Sequence, residues 1–272
     1  MPSKMIRHRS MSYLDIGQGF PVLLGHAYLG NKQDWLKPVE ILSKNFRCIV
    51  PDLWSHGQSG DIPQKPYSLE LLSEDLYYLM KSIGLPEFAI AGASVSGMWA
   101  AQMAINRPRH VKALVLIDTY LGDESEERKL YYGSLLQLLE KEGRFTHETL
   151  DEILPYLFAK ETFEKKPFVT EAFKQNLLKI PFDRMSGLLE AGSIAFNRSS
   201  MLSRLPSLTM PTLILSGDQD IPMPVESVKS MADLNKNFVF HLISQAGHYA
   251  YLEQEDMITQ ALQAFFIKTL KV

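Results

Sequence analysis

The chain has a single cysteine, Cys48, in 272 residues. No disulfide can close within it, which fits a reducing compartment. Cys48 lies in the apolar run Phe46-Arg47-Cys48-Ile49-Val50 and reads as a small buried hydrophobe rather than a reactive thiol. No stretch reaches the run of about 18 apolar residues that a membrane span needs. The charged opening, Met-Pro-Ser-Lys-Met-Ile-Arg-His-Arg-Ser, is followed by neither the apolar core nor the small-residue cleavage site of a signal peptide. These absences lead to the expectation of a cytoplasmic protein without a membrane partner. An excess of one charge is lacking too: 28 Lys and Arg stand against 31 Asp and Glu, a net charge of −3. With no block of Lys and Arg, nucleic acid is not an expected partner. His26, His56 and Asp52 lack the spacing of metal ligands, and no cofactor is expected. There is no internal repeat and no low-complexity segment.

What is present is the composition of a globular protein, 46% apolar and 22% charged, in a chain long enough for one sizeable core with an insertion. Short runs rich in Val, Ile, Leu and Phe, bounded by Gly, Pro or Asp, occur at 21–24, 46–50, 88–91, 112–117, 212–215 and 238–242. Such runs fit strands buried on both faces of a parallel sheet. Helical patterns lie between several of them, at 69–83, 97–106, 225–231 and 257–270. Strands alternating with helices predict an α/β fold with a doubly wound, mostly parallel sheet. The rhythm breaks after Asp118, and residues 120–202 carry helical patterns only, at 126–141, 149–157, 167–178 and 184–196. Those helices could pack on the sheet as ordinary crossovers. The insertion is far longer than the dozen or so residues that a parallel crossover needs, roughly 12. It is therefore read as a helical cap, with 1–119 and 203–272 as the core.

The strongest local signal is Phe88-Ala89-Ile90-Ala91-Gly92-Ala93-Ser94-Val95-Ser96-Gly97-Met98-Trp99. A buried strand runs into a tight turn with a serine at its apex, and a helix follows, the context of a nucleophile elbow. Small residues must flank so strained a turn, and Gly92 and Ser96 do. Ser96 as the nucleophile would put Ser94 and bulky Met98 at the tight positions, which is sterically poor. The plainer alternative is that Ser94 only caps the helix.

On these residues the chain resembles the α/β-hydrolase family over nearly its whole length. The family's elbow is Gly-x-Ser-x-Gly; here Ser96 takes the fifth position, with glycine following at Gly97. His248, in Ala246-Gly247-His248-Tyr249, is similar to the family's histidine loop after the last strand. Asp220, in Gly217-Asp218-Gln219-Asp220, is similar to its acid loop. The resemblance implies that His248 takes the proton of Ser94 and that Asp220 orients His248, in the family's chain order Ser, Asp, His. Asp218, read as a turn-former, and Asp118, at the end of the preceding strand, stay open as alternative acids. The backbone N–H groups of Val95 and Ala27 are the expected oxyanion donors. Ala27 follows Gly25-His26, where the family usually carries His-Gly, and His26 is read as a buttress of that loop. The segment Asp52-Leu53-Trp54-Ser55-His56-Gly57-Gln58-Ser59 resembles a family loop read here as scaffold.

A serine at the elbow, rather than an aspartate, implies acyl transfer. The expected activity is that of a carboxylesterase-like hydrolase of small to medium, largely apolar esters, with the aromatics of the insertion lining a pocket or forming the cap's own core. Lactonase and enol-lactonase activities need the same triad, and fold cannot choose among them. The absence of a long glycine-rich oxyanion loop speaks against C–C bond hydrolysis. A ligand-binding protein on the same scaffold is the alternative from another class.

Overall fold

The computed structural model describes residues 2–271. Its strands are β1 (Ser3–Ile6), β2 (Arg9–Ile16), β3 (Phe20–Gly25), β4 (Phe46–Pro51), β5 (Phe88–Ala93), β6 (Val111–Ile117), β7 (Thr212–Gly217) and β8 (Phe238–Ile243). The core helices are α1 (Leu36–Leu42), α2 (Leu69–Ser82) and α3 (Val95–Asn106). Helices α4 (Glu126–Glu142), α5 (His147–Leu157), α6 (Lys160–Lys165), α7 (Pro167–Leu178) and α8 (Phe182–Phe196) fill the stretch between β6 and β7. Then come α9 (Val225–Ala232), the single turn α10 (Ala250–Glu253) and α11 (Glu255–Leu270). Among the described residues no helix is long and apolar enough to cross a membrane.

The strands form one sheet in the order β1-β2-β4-β3-β5-β6-β7-β8. The pairs β1–β2 and β2–β4 are antiparallel and all others parallel. All six strand-like runs of the sequence are strands, and the doubly wound α/β architecture is as expected. The first hairpin was not foreseen. Its two-residue turn, Arg7-His8, places both residues at positive φ (46° and 65°), a conformation usually signalled by Asn-Gly or Asp-Gly.

Because side chains alternate across a strand, the sheet divides its apolar residues between two cores. Leu23, Ile49, Ile90, Leu114 and Ile214 face α2, α3 and α9. Val22, Cys48, Val50, Ala91, Val115 and Leu215 face α1 and α11. Burial there pushes the Cys48 thiol up to about 12, so it stays a neutral hydrophobe. The chain leaves β3 toward β4 on one side, while β5 pairs with β3 on the other, with Gly25 level with Gly92. Where neighbouring parallel strands diverge, a crevice opens beyond their C-terminal ends. Ser94, one residue past β5, lies in it.

The loop after β3 is held to the loop after β4 by a buried ion pair. Lys32 Nζ meets Asp52 and also donates to Ser12 Oγ (3.0 Å) and Gln58 Oε1 (3.1 Å). Asp52 further accepts the N–H groups of Lys32 and Gln58, each at 2.8 Å. Every donor of the ammonium is used, which is the condition under which a buried pair is tolerated. Lys32→Met should leave the Asp52 charge uncompensated and cost about 3–5 kcal/mol. Urea unfolding checks this, and Lys32→Met with Asp52→Leu should recover part of the loss.

Candidate active site

Ser94 has φ 52° and ψ −117°, the strained apex of the turn between β5 and α3. Its N–H donates to Ile117 O at 2.8 Å. Its carbonyl accepts from Gly97 N (2.9 Å), Met98 N (3.2 Å) and Thr119 Oγ1 (3.0 Å). Two glycines are required by contact: a Cβ on Gly92 would sit 2.4 Å from the Ser96 backbone, and one on Gly97 would sit 2.1 Å from Thr119 Oγ1. Ser96 does not face the reacting space, because its hydroxyl donates to His26 O at 2.6 Å and accepts from Trp99 Nε1 at 3.0 Å.

The structure brings Ser94, His248 and Asp220 together. His248 Nε2 lies 2.8 Å from Ser94 Oγ, and Nδ1 lies 3.1 and 3.0 Å from the two Asp220 oxygens. A carboxylate can only accept, so Nδ1 carries the proton and Nε2 accepts the serine hydroxyl. Asp220 Oδ1 also accepts Met223 N at 2.8 Å. The other two carboxyls are engaged elsewhere. Asp218 accepts Ala246 N at 3.2 Å. Asp118 accepts Gly217 N (2.9 Å) and Ala250 N (3.0 Å) and makes no contact with the imidazole. Burial, with the nearby charge of Asp220 adding to it, pushes the Asp118 carboxyl well above its ordinary range.

The loop after β3 is fixed at almost every backbone group. His26 donates from Nδ1 to Ala27 O (2.8 Å) and accepts Leu53 N at Nε2 (3.0 Å), so it does buttress the loop. His56 accepts Leu29 N at 3.3 Å and donates from Nδ1 to Trp54 O at 2.8 Å. Each ring must be neutral to accept. Burial lowers both, His56 to about 3 with a smaller contribution from His26. The Tyr249 hydroxyl donates to Tyr28 O. Ala27 N–H donates to the Tyr251 hydroxyl at 3.4 Å. That last bond corrects the sequence expectation for the second oxyanion donor: the Ala27 N–H is turned into the core. The N–H groups of Tyr28 and Val95 have no acceptor among the described residues. A hydrogen bond to a tyrosine 224 positions away leaves no local sequence signal.

Above Ser94 and His248 is a narrow cavity, partly open to solvent, walled by apolar side chains such as Met98, Leu135, Leu139, Phe145, Ile153 and Phe196. Most of these residues come from the insertion. The turn after Asp220 is tied to the insertion by Arg128, whose guanidinium donates to Ile221 O (2.8 Å) and Pro222 O.

With this geometry in view, comparison with known proteins is decisive for the family. The sequence profile of the alpha/beta hydrolase fold family matches residues 21–255. The chain is an α/β hydrolase. It is 26% identical over 265 residues to an AB hydrolase superfamily protein, YisY, of Bacillus subtilis, covering 96% of this chain and 97% of that one. It is 26% identical over 262 residues to a pimeloyl-[acyl-carrier protein] methyl ester esterase of Legionella pneumophila, covering 92% and 96%. The solved structure of a thermophilic esterase from Thermogutta terrifontis superposes with a TM-score of 0.88 at 30% identity, over 96% of this chain and 94% of that one.

Several residues that support the site of this hydrolase were not singled out from the sequence: Tyr28, Arg128, Tyr249, Tyr251 and Glu253. The only signal for Glu253 is that it closes the apolar run Tyr249-Ala250-Tyr251-Leu252, and the acids Glu255 and Asp256 close behind it blur that signal. Tyr251 also donates to Asp34 Oδ2 at 3.2 Å. Asp34 keeps part of its side chain at the surface, yet enough protein packs around the carboxyl that burial pushes it up to about 7, against the opposing pull of Asn31 N–H and Tyr251. A carboxyl whose folded pKa is raised favours folding while protonated, so its contribution is complete below the ordinary carboxylate range and is lost as pH climbs toward about 7. Between roughly pH 4 and 7, Asp34→Asn should therefore lose less stability than wild type. Urea midpoints at stepped pH read the difference, and parallel curves would count against it.

Proposed function

We propose that this hydrolase cleaves carboxylic esters of small to medium, largely apolar substrates through an acyl-enzyme on Ser94, with residues 120–202 as its substrate-binding cap. The observation that carries the reading is the 2.8 Å approach of Ser94 Oγ to His248 Nε2, with Nδ1 held by Asp220 at the same time. A serine hydroxyl is a weak nucleophile until a base shares its proton, and this is the arrangement that supplies one. Ser94 Oγ attacks the ester carbonyl carbon as its proton passes to Nε2. The carbonyl oxygen becomes an oxyanion facing the N–H groups of Val95 and Tyr28 and the N-terminal end of α3, where negative charge is favoured. Asp220 steadies the imidazolium, which then protonates the departing alkoxide. Water, deprotonated by His248, attacks the acyl-enzyme, and collapse of the second intermediate returns Ser94 and releases the acid. Each step uses side chains and backbone of this chain, and no cofactor is invoked.

The apolar cavity wall favours a substrate with a hydrocarbon part over a strongly charged one. Esterase activity in two relatives, the Legionella methyl ester esterase and the Thermogutta esterase, supports the same bond type.

Hydrolysis of p-nitrophenyl esters from acetate to decanoate tests the proposal. Wild type should turn over, with a preference that sizes the cavity, and Ser94→Ala should not. Asp220→Asn should stay folded and lose roughly 10⁴-fold in kcat, whereas Asp118→Asn, whose oxygens hold backbone rather than the imidazole, should lose far less. The opposite ranking moves the acid to Asp118. A fluorophosphonate probe that fails to label the folded protein sinks the enzyme reading in favour of a binding role. Labelling without ester turnover turns the search to lactones and thioesters.

A further inference from the structure

The catalytic mechanism leaves unused one fully buried acid beside the histidine loop, Glu253. Its carboxylate gathers donors from two parts of the chain. Oε1 accepts Gly247 N at 2.8 Å, from the residue before His248. Oε2 accepts Ala159 N at 2.8 Å and the Thr162 hydroxyl at 2.6 Å, both from the insertion. The main chain of His248 is held from the same side, its N–H donating to Leu157 O at 2.7 Å. Gly247 packs directly on that segment: a Cβ there would stand 2.7 Å from both Ala159 N and Leu157 O. Phe158 stacks on Tyr249 with ring centroids 5.2 Å apart, and Lys166 Nζ donates to Glu253 O. The acid loop is drawn to the same stretch, where Lys160 N donates to Gln219 Oε1 at 3.3 Å.

We infer that Glu253 is a positioning residue for His248, registering the histidine loop against residues 157–162 so that the insertion forms part of the support of the triad. The physical case is that of donors and acceptors. A carboxylate offers two oxygens and no hydrogen, and here both oxygens are met by N–H or O–H groups. Those groups are buried, and a donor left without its acceptor drives local rearrangement. Rearrangement at Gly247 moves the residue that carries the base. A shift of about 1 Å in a reacting group can cost roughly a hundredfold in rate. Glutamine at 253 keeps the size of the side chain but turns one oxygen into an NH₂ that opposes an N–H, so it breaks the register without opening a cavity.

The inference rests on the triad reading above, and the experiment keeps the two apart. Glu253→Gln and Thr162→Val are compared with wild type in the full-length chain. Three quantities are read: kcat and KM for p-nitrophenyl butyrate, the low-field proton resonance of His248 Nδ1–H (identified by its loss in His248→Ala), and the thermal midpoint. Glu253→Gln should lower kcat by roughly ten- to a hundredfold with KM little changed, and the resonance should vanish or exchange faster with water. Thr162→Val should do the same more weakly, and the double variant should be no worse than Glu253→Gln alone. A Glu253→Gln protein that melts earlier but keeps kcat and the resonance makes Glu253 a fold anchor only and overturns the inference. Should Glu253→Gln fail to fold, unchanged kcat and resonance in Thr162→Val overturn it equally. Should wild type show no Ser94-dependent turnover, the esterase reading falls, and the resonance alone still decides whether Glu253 holds the imidazole.

Discussion

The strained backbone of Ser94 is the constraint around which the site is arranged. A residue with a β-carbon at φ 52° and ψ −117° costs of order 1–3 kcal/mol and persists only when its surroundings leave no alternative. Those surroundings are the closely packed ends of β3, β5 and β6. Ile117 takes the Ser94 N–H, Thr119 donates to the Ser94 carbonyl, and Gly92 and Gly97 give up their side chains so that the turn can close. The result is a hydroxyl lifted to the crevice mouth with the first turn of α3 behind it. A relaxed serine would fold its hydroxyl onto the helix as a cap. Here Ser94 makes no side-chain capping bond, and its hydroxyl meets His248 instead.

The same crowding links two departures from the family pattern. Ser96 stands where the elbow usually has glycine, and Gly25 stands just before His26. A Cβ on Gly25 would lie 2.6 Å from both Cβ and Oγ of Ser96. The glycine at the end of β3 thus provides the space that glycine at the elbow would otherwise provide. Ser96 then does something glycine cannot, holding the carbonyl of His26 and with it the start of the loop that presents Tyr28 N–H. The two positions form one steric unit, and a change at one carries a requirement at the other.

How legible the molecule was in its sequence followed the range of the interactions involved. The six central strands announce themselves as apolar runs because both faces are buried. β1 (Ser-Lys-Met-Ile) and β2 (Arg-Ser-Met-Ser-Tyr-Leu-Asp-Ile) carry no continuous apolar run and turn through Arg7-His8, so neither composition nor turn chemistry marks them. The helix α1 carries Pro38 in its first turn, where proline is tolerated, and a reading that treats proline as a breaker passes over it. Ser94 and His248 were readable because each sits in a local strand–turn–helix or strand–loop context. The loop after β3 was readable as a place for backbone donors, but not at the level of single N–H groups. Which of its N–H groups is free depends on Tyr251 and Tyr249, and proximity across more than 200 positions is a property of the fold.

Long-range packing also separates the three acids near the histidine, which sequence spacing could not. Asp118 ends β6 at φ 49° and turns its carboxyl toward Gly217 N and Ala250 N, joining the ends of β6 and β7 to the start of α10. Burial and the neighbouring charge of Asp220 drive it toward its neutral form. Glu253 is directed at Gly247 and the insertion. Asp220 alone faces the imidazole, through both oxygens. Were two ionised carboxylates to crowd the same ring, their mutual repulsion would oppose the burial of each. The arrangement avoids that by assigning Asp118 and Glu253 to backbone donors, and it leaves one carboxylate in contact with the ring that turns positive when it takes the proton of Ser94.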